Sequence, residues 1–291
     1  MTTLEKKIDF ALIIKVDKAN PNGDPLNGNR PRVDYDGFGE ITDVCLKRKL
    51  RDRLVERYQS LAEKNQGGQA VFVQSDDRNI DGEPSLRERA ISKDHGIGKD
   101  AFNSKKTKPI DAAKLACDQW IDVRSFGQVF AFSKSKGVEG VSIPIRGPVT
   151  IQSAFSIEPI SSSSTQITKS VSGEGDGSKR GSDTMGMKHR VDEAVYVTYG
   201  SMNPQLAERT GFSDVDAATI KEILPKIFEN DESTARPAGS MQVLNLVWWE
   251  HNCKSGQYSS ARVHRSIEVA PDGTVTRTSL DGLDPEIIEG F

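Results

Sequence analysis

The sequence predicts an α+β fold of the ferredoxin-like kind, from the hydrophobic period of its segments and the order in which they follow. Large apolar side chains recur at every second position from Ile8 to Val16, as in a strand with one face on a core. Leucines recur at helical spacing from Leu46 to Leu61. Over the whole chain the predicted order is strand, helix, strand, strand, helix, strand. This is the split βαβ order of that fold, with a long insertion between its second and third strands.

The first strand runs into a loop, Asn20–Arg32, that contains two Asn-Gly dipeptides and three prolines. Such residues cannot continue a strand or a helix, so they predict a shaped loop whose amides and backbone N–H groups face outward and suit an anionic backbone. The alternative is a plain surface turn. A helix from Asp43 to Ala62 follows, with Thr42 or Asp43 as its N-cap, and Ala70–Gln74 is predicted as a short second strand.

The insertion begins with residues 75–108, which are polar and charged and show no sustained period, so we expect an inserted surface lobe. A helix from Asp111 to Trp120 leads into Trp120–Phe130, and Val141–Ile145 and Val149–Ser156 are strand candidates. Residues 161–182 contain 12 Ser or Gly residues out of 22. This composition predicts a segment that is mobile alone and becomes ordered on binding.

The remaining elements return to regular periods. Ala194–Tyr199 alternates as a third strand, which we expect at the centre of the sheet. Apolar residues from Ile220 to Phe228 have helical spacing, although Pro225 should kink or end that helix. Met241–Trp249 is a long apolar strand, and the chain contains no internal repeat that we detect.

Charge is concentrated locally. A formal net charge of −3 argues against coating nucleic acid by bulk charge, so such binding needs local basic patches. The predicted helix carries five cations within seven residues, and on a helical wheel Lys47, Arg48 and Arg51 share one flank. We expect this flank to contact phosphate; the alternative is a solvated face. The other flank is neutralised by carboxylates three residues on, Asp52 for Lys49 and Glu56 for Arg53.

The cysteines and the apolar runs indicate a cytoplasmic protein. Cys45, Cys117 and Cys253 are odd in number and widely spaced, so they predict neither a disulfide framework nor a paired metal site. The most apolar run, Phe10–Ile14, is too short to span a bilayer and is flanked by lysines without a cleavage site after it. We expect no membrane association.

The segment Met185–Arg190 places two flexible apolar side chains beside three basic ones. Met185 and Met187 are suited to wedge between bases while Lys188, His189 and Arg190 hold phosphates. The alternative is a hydrophobic foot that anchors a loop in the core.

Five motifs, in this order along the chain, resemble the repeated backbone subunit of CRISPR type I effector complexes, the Cas-seven family, in the form found in subtype I-C. They are Asn20–Pro25 (NPNGDP), Asp122–Gly127 (DVRSFG), Ile145–Val149 (IRGPV), Met185–Arg190 (MGMKHR) and Ala235–Pro237 (ARP). The resemblance covers nearly the whole chain up to Trp249.

The resemblance implies a discontinuous domain with an RNA-recognition-motif-like palm at about 6–74, 120–160 and 191–270. It also implies an inserted fingers lobe at about 75–119, a thumb at about 161–190 and a C-terminal tail at 271–291. The implied partners are CRISPR guide RNA, target DNA through the guide, further copies head to tail, a small guide-processing subunit and a large PAM-reading subunit. No cofactor or metal is implied.

The resemblance and the residue patterns together give the candidate RNA-binding set. It comprises Asn20, Asn22, Gly23, Asn27, Asn29 and Arg32 of the loop, the helix flank of Lys47, Arg48 and Arg51, then Arg124, Phe126 and Gln128, and finally Lys188, His189 and Arg190, with Met185 and Met187 as the thumb wedge.

Three functions follow from these observations. The first is a non-catalytic subunit that holds the guide and presents its bases for pairing with target DNA. The second is a metal-dependent RNA endonuclease of a CRISPR system, for which Asp34, Asp36, Asp76 and Asp77 are the candidate residues. The third is a single-strand RNA binder acting alone, which the lack of an aromatic stacking pair on the first strand disfavours.

Overall fold

The computed structural model describes residues 2–133, 141–171 and 185–291. The strands are β1 (Ile8–Ala19), β2 (Gly23–Asp24), β3 (Arg30–Pro31), β4 (Phe38–Ile41), β5 (Gly127–Phe132), β6 (Val141–Arg146), β7 (Val149–Ile151), β8 (Ala154–Pro159), β9 (Ser162–Thr168), β10 (Met185–Met202), β11 (Met241–Glu250), β12 (Ile267–Val269), β13 (Val275–Arg277) and β14 (Glu286–Glu289). The α-helices are α1 (Asp43–Ser60), α2 (Leu86–Ile91), α3 (Pro109–Gln119), α4 (Ile121–Phe126), α5 (Pro204–Thr210), α6 (Asp214–Ile223) and α7 (Ser260–His264). The fold is therefore mixed α/β, as the hydrophobic periods predict.

A large antiparallel sheet forms the centre of the molecule. Its strands follow the order β14-β11-β1-β10-β8-β4, and β7 and β9 also pair with β10. The long ladder between β1 and β10 runs from Ile8 opposite Met202 to Ala19 opposite Val191. The predictions of the first strand, the central third strand and the strand at Met241–Trp249 are confirmed.

Helices cover one face of this sheet. Alternate residues of β1, such as Phe10 and Leu12, pack against leucines of α1 and against Ile220 of α6 in one buried cluster. Helix α1 begins after Thr42, whose Oγ1 accepts the Cys45 N–H (3.3 Å), and it ends at Ser60. Helix α6 ends at Ile223, where the backbone tightens into the 3₁₀ turn Leu224–Lys226 that contains Pro225. The prediction of α1 is confirmed. For the second helix, the break at Pro225 is confirmed, but α6 shares only Ile220–Ile223 with the predicted span and begins earlier, at Asp214.

The C-terminal part of the chain covers the opposite face. The other alternate residues of β1, Ala11 and Ile13, pack with Trp249 of β11 and with Val263 and Leu283 from the segment after β11. The same segment ends in β14, which extends the sheet beside β11. Both faces of the central strands are thus buried, and the tail after Ala270 completes the sheet and its cover.

A buried carboxylate joins this cover to the sheet. Asp9 of β1 is fully buried and lies 3.0 Å from Lys7 Nζ, 2.9 Å from His251 Nε2 and 3.5 Å from His264 Nε2. His251 Nδ1 accepts the Gln257 N–H (2.9 Å), so its proton is on Nε2 and is donated to Asp9. Burial alone would raise the pKa of Asp9, but hydrogen bonds from His251, His264, Ser260 and Lys7 outweigh it and hold the pKa well below its usual range.

We expect Asp9→Asn to lower the free energy of unfolding at pH 7 by about 1–3 kcal/mol, because buried donors lose their anionic acceptor. The depressed pKa of Asp9 means that its contribution is complete above the unfolded-state value of about 4 and is lost as the pH falls through the folded-state value. Urea unfolding at pH 7 and pH 3 should show a deficit that shrinks in acid. Asp17→Asn, at an exposed position of the same strand, is the control. A deficit that is equal at both pH values would contradict this role.

A second, smaller core lies outside the sheet. Phe72, Phe102, Trp120 and Phe130 are buried in one cluster with apolar residues of α2 and α3. Their rings are in contact, with Phe72 and Trp120 at a centroid distance of 4.7 Å. Only Phe102 of these rings lies within residues 75–108, the segment predicted as a polar lobe. The rest of the core comes from Phe72 and Trp120, from the hairpin of β5 and β6, and from the predicted helix α3.

Three local predictions need correction. Ala70–Gln74 forms only an isolated bridge from Ala70 to Trp120, and the strands beside β10 on that side are β7 and β8, into which the candidate Val149–Ser156 divides. Residues 162–168, expected within a mobile loop, form β9, because the backbone of Met185–Val191 offers them a complete ladder. The rest of that segment, residues 172–182, lies outside the described residues.

Candidate nucleic-acid interface

The loop after β1 is tied down by its own amides. Asn20 is buried; its N–H donates to Ala235 O (2.9 Å) and its Nδ2 donates to Asn29 O (2.7 Å). Asn22 Oδ1 accepts both the backbone N–H (3.0 Å) and the hydroxyl (2.9 Å) of Thr42, and so fixes the start of α1. The expectation that the loop amides face outward is therefore wrong for Asn20 and Asn22, since each serves the fold. Asn27 and Asn29 are exposed.

The loop tip is a small hairpin in which β2 pairs with β3. Gly28 and Asn29 both adopt left-handed conformations, and a side chain at Gly23 would collide with Asn29 Oδ1. Arg32 lies 3.6 Å from Asp24 and is partly buried. Arg30 is exposed, and its guanidinium forms no hydrogen bond or ion pair with the described residues. Of the two arginines, Arg30 is the one whose charge is available.

The basic residues of α1 are paired with carboxylates. Lys47 binds Asp43 at 2.9 Å, and Arg51 Nε binds Asp122 at 3.0 Å. Arg48 is shared between Asp52 (2.7 Å) and Asp231 (2.9 Å). The flank expected to be free for phosphate is thus neutralised within the fold.

The opposite flank of α1 matches the helical-wheel prediction in only one of its two pairs. Arg53 binds Glu56 at 2.7 Å, as predicted. Lys49 is buried and pairs with Asp231, whereas its predicted partner Asp52 pairs with Arg48.

Helix α4 holds two buried ion pairs that point in different directions. Asp122 accepts the N–H groups of Phe72 (2.7 Å) and Val73 (3.1 Å) in addition to Arg51. Arg124 forms a fork with Asp216 of α6 at 3.0 and 2.7 Å, and donates to the carbonyls of Gly68 and Cys117. Arg124 is buried, so the structure places it inside the protein, between the aromatic core and the sheet.

The residues that follow Arg124 in the candidate set are more accessible. Phe126 lies under the Arg51 guanidinium at 5.3 Å, and Gln128 is partly exposed on β5. The central part of the motif therefore serves packing, and Gln128 is its accessible end.

The methionine and basic residues of the fourth motif lie on a strand. β10 pairs with β9 from Met185 opposite Thr168 to Val191 opposite Ser162. Because side chains alternate along a strand, Met185, Met187 and His189 share one face and Lys188 and Arg190 the other. His189 is buried with Nδ1 at 2.7 Å from Ser164 Oγ.

The two methionines are exposed. Met185 is 65% exposed and Met187 55%, so neither anchors a loop in the core and the hydrophobic-foot reading is wrong. On the opposite face, the partly buried Lys188 forms no side-chain hydrogen bond or ion pair with the described residues, while Arg190 Nε is buried without a partner among them.

These pieces converge at one end of the sheet. The ladder of β1 and β10 ends at Ala19 opposite Val191, next to Asn20 and the start of the hairpin of β9 and β10. Strand β3 lies beside β10, and Asn20 joins the loop to Ala235. The loop, the hairpin base and the segment at Ala235–Pro237, from three of the five motifs, are therefore adjacent, although they are far apart in sequence.

Comparison with known proteins decides the family. The model of the family described as CRISPR-associated protein Cas7 matches residues 6–283, which is most of the chain. The chain belongs to the Cas7 family. A curated relative, the CRISPR-associated protein Cas7 of Haloferax volcanii, is 26% identical over an alignment of 301 positions, gaps included, that covers 99% of this chain and 82% of the relative.

Two solved chains are similar to this Cas7-family chain. One comes from a CRISPR RNA-guided surveillance complex described as pre-nicking; it is 18% identical, with 84% of this chain and 78% of that chain covered, at a TM-score of 0.48. The other, from a CRISPR RNA-guided surveillance complex, is 15% identical, with 84% and 68% covered, at a TM-score of 0.40. The family assignment rests on the sequence match.

The acidic residues of this Cas7-family chain form no metal-binding group within the described residues. Asp34 Oδ1 accepts the N–H groups of Asp36 (3.0 Å) and Phe38 (2.9 Å) and so shapes the turn before β4.

Burial raises the pKa of the Cys117 thiol to about 12, which keeps it protonated and unreactive. Within the described residues, no helix combines the length and apolar character needed to cross a bilayer.

Sequence reasoning missed Arg30 as a candidate of the interface. No local pattern separates Arg30 from Arg32, because side chains two residues apart on a strand share one face. What separates them is the ion pair of Arg32 with Asp24. Sequence reasoning also missed Asp231 and Asp122, which neutralise the basic helix from distant parts of the chain.

Proposed function

We propose that this Cas7-family chain is a non-catalytic subunit that binds CRISPR guide RNA and forms the repeated backbone of a surveillance complex of subtype I-C. The observation that carries the proposal is the family match over residues 6–283. Copies assemble head to tail along the guide and present it for pairing with target DNA. A small guide-processing subunit and a large PAM-reading subunit complete the complex.

The palm of this subunit is the ferredoxin-like part of the sheet, in strand order β11-β1-β10-β8. In support, these four strands occur along the chain in the order β1, β8, β10, β11, so their spatial order is fourth, first, third, second. Helix α1 follows the first of them and α6 follows the third, as in the split βαβ arrangement. The fingers are the lobe at about residues 75–119; in support, Ala90, Ile91 and Phe102 of this range are buried in the second core. The thumb is the hairpin region at about 161–190.

The guide binds at the end of the sheet rather than on either of its two faces. The C-terminal cover fills the face opposite the helices, so the face on which RNA-recognition motifs stack bases is closed around Ala11, Ile13 and Trp249. At the end of the sheet, Arg30 and Lys188 offer charges that the described residues do not neutralise. Asn27 and Asn29 add polar groups there, and the loop and the hairpin supply shape. Gln128 follows Gly127, which pairs with Arg146 just before β7, so it lies toward the Met202 end of β10.

Binding is electrostatic and independent of base sequence, so the logarithm of affinity for guide-length RNA falls linearly with the logarithm of salt concentration. We expect Arg30→Ala with Lys188→Ala to flatten that slope by about 0.7 for each phosphate that the variant no longer neutralises, whatever the RNA sequence. Fluorescence anisotropy from low to physiological salt gives the slope. Lys64→Ala with Arg277→Ala, two exposed cations elsewhere, is the matched control.

An unchanged slope in the Arg30 and Lys188 variant, or an equal change in the control, would remove this end of the sheet from the site. The same titration on Arg48→Ala tests the helix flank. Because Arg48 is already held by Asp52 and Asp231, we expect its slope to equal that of the wild type.

The exposed methionines act as the wedge that unstacks one base step of the guide in each copy. We expect Met185→Thr with Met187→Thr, which keeps strand propensity, to change the stability of the free protein by less than about 0.5 kcal/mol. Chemical probing of the guide in the assembled complex should lose its periodic pattern of reactive nucleotides, because the apolar wedge is absent. A sharp pattern in the double variant would reject the wedge, and Val215→Thr, at an exposed position of α6, should leave the pattern intact.

No observation favours the endonuclease alternative. Incubating assembled particles with complementary RNA and magnesium tests it directly. Cleavage that disappears on Asp34→Ala with Asp36→Ala, or on Asp76→Ala with Asp77→Ala, would overturn the non-catalytic assignment.

A further inference from the structure

The last strand of the chain leaves one edge of the sheet open. β14 pairs with β11 on one side, from Glu286 opposite Trp248 to Glu289 opposite Asn245, and no described strand lies on its other side. Gly290 N–H donates to Leu244 O (3.0 Å), so Gly290 and, at alternate positions, Ile288 point their backbone groups to β11. Ile287 and Glu289 therefore present their N–H and C=O groups to the open edge.

An exposed aromatic ring is held at the end of this edge. Phe291 is 74% exposed, yet its N–H donates to Pro225 O (3.3 Å), and the preceding Gly290 lies so close to Val243 O that any side chain there would collide with it. Lys226 Nζ lies 5.4 Å from the ring centroid. The backbone thus fixes a ring that packing leaves exposed.

Two hollows lie on the two sides of this ring. One, of 470 Å³, is lined by residues of the segment 225–243 together with Phe291. The other, of 420 Å³, lies between the end of α6 and residues 288–291. Ser240, on the first hollow, is 9% exposed, and its hydroxyl has no partner among the described residues. Together the hollows form a groove that continues the open edge.

The free charge of this groove is negative. Two of its cations are paired, Lys221 with Glu286 at 2.5 Å and Arg236 with Asp231 at 2.8 Å. Lys226 lies over the Phe291 ring and keeps its charge, but the exposed carboxylates outnumber it. The exposed carboxylates of the groove form no ion pair with the described residues; they are Glu222, Glu229, Glu232 and Glu289. Such a surface repels phosphates and attracts cationic side chains.

We propose that the edge of β14 and the groove at Phe291 form a protein-docking site that takes an extended, basic segment of a partner subunit as an added strand. The backbone of the segment pairs with Ile287 and Glu289, which is the mode of β-strand addition. An apolar side chain of the segment lies against Phe291, and its lysines or arginines face the free glutamates. The inference does not rest on the RNA-binding role, although the groove borders the proposed guide-binding end at Arg236 and Pro237, which line the first hollow.

The probe is a fluorescent decapeptide of alternating lysine and valine, added to the full-length protein. We expect it to bind and to slow hydrogen exchange at the amides of Ile287 and Glu289. The same peptide with glutamate for lysine should bind about tenfold more weakly or worse, because its charges oppose the groove. A peptide N-methylated at every residue should lose the amide protection, since neither of its edges can donate to β14. A uridine decamer tests nucleic acid as the occupant.

Charge reversal of the protein separates docking from adventitious attraction. Glu229→Lys with Glu232→Lys should weaken binding of the lysine peptide and strengthen binding of the glutamate peptide. Glu63→Lys with Glu268→Lys, at exposed positions elsewhere, should change neither affinity. Thermal unfolding confirms that each variant is folded. The proposal is overturned if both peptides bind alike, if Ile287 and Glu289 stay unprotected, if the control pair has the same effect, or if the uridine decamer protects these amides.

Discussion

Arg124→Ala is expected to lower the free energy of unfolding by about 3–5 kcal/mol, because it leaves one member of a buried ion pair without the other. The Arg124 guanidinium donates two hydrogen bonds to the Asp216 carboxylate, of 3.0 and 2.7 Å, and both side chains are nearly inaccessible to solvent. Its removal also leaves the carbonyl of Cys117, 3.2 Å away, without this donor. Urea unfolding of the free protein gives the magnitude.

Two further variants separate a structural role of Arg124 from contact with the guide. Arg124→Lys keeps the charge but cannot form the fork, so it should recover little of the lost stability. If Arg124 instead contacted RNA phosphate as a charge, lysine would restore RNA affinity while alanine would not. A double-mutant cycle with Asp216→Asn should give a large coupling energy. A loss below about 1 kcal/mol for Arg124→Ala, the size typical of a surface pair, would contradict the buried role.

Much of the fold follows from local sequence patterns. The strands at Ile8–Ala19 and Met241–Glu250 and the helix from Asp43 to Ser60 have long, regular apolar periods, and their elements are where those periods place them. Ala70–Gln74 is too short for its period to distinguish a strand from an extended connection, and it is a connection. The cover of the second sheet face was missed, although Ala11 and Ile13 on the polar side of the first strand indicate that this side is buried too.

The candidate site was less predictable, because its charges are decided by residues far away in sequence. A helical wheel considers partners three or four residues on and finds Glu56 for Arg53. It cannot find Asp122 for Arg51, 71 residues away, or Asp231 for Lys49, 182 residues away. A basic helix therefore looks like a binding surface in sequence and is largely neutralised in the fold. The same long-range pairing places Arg124 inside the protein.

Asp231→Ala is expected to lower the free energy of unfolding by about 3–5 kcal/mol at pH 7, because it removes one partner of another buried ion pair. Its carboxylate accepts hydrogen bonds from Lys49, from Arg48 Nη2 at 2.9 Å and from Arg236 Nε at 2.8 Å. Burial would raise the pKa of Asp231, but the cations, Lys49 first among them, hold it below its usual range. This carboxylate therefore stabilises the fold above its unfolded-state pKa of about 4, and its contribution is lost as the pH falls through the folded-state value.

The largest part of that cost is the charge left on Lys49, whose side chain is completely buried. Burial lowers the pKa of Lys49 even with Asp231 present. Without Asp231 the lysine is more easily deprotonated, so the deficit of Asp231→Ala should shrink as the pH rises from 7 to 9. Asp231→Ala with Lys49→Met should recover most of the stability, because an apolar side chain beside Phe228 replaces an unpaired buried charge. A double variant as unstable as Asp231→Ala alone would show instead that the deficit comes from the broken tethers to Arg48 and Arg236.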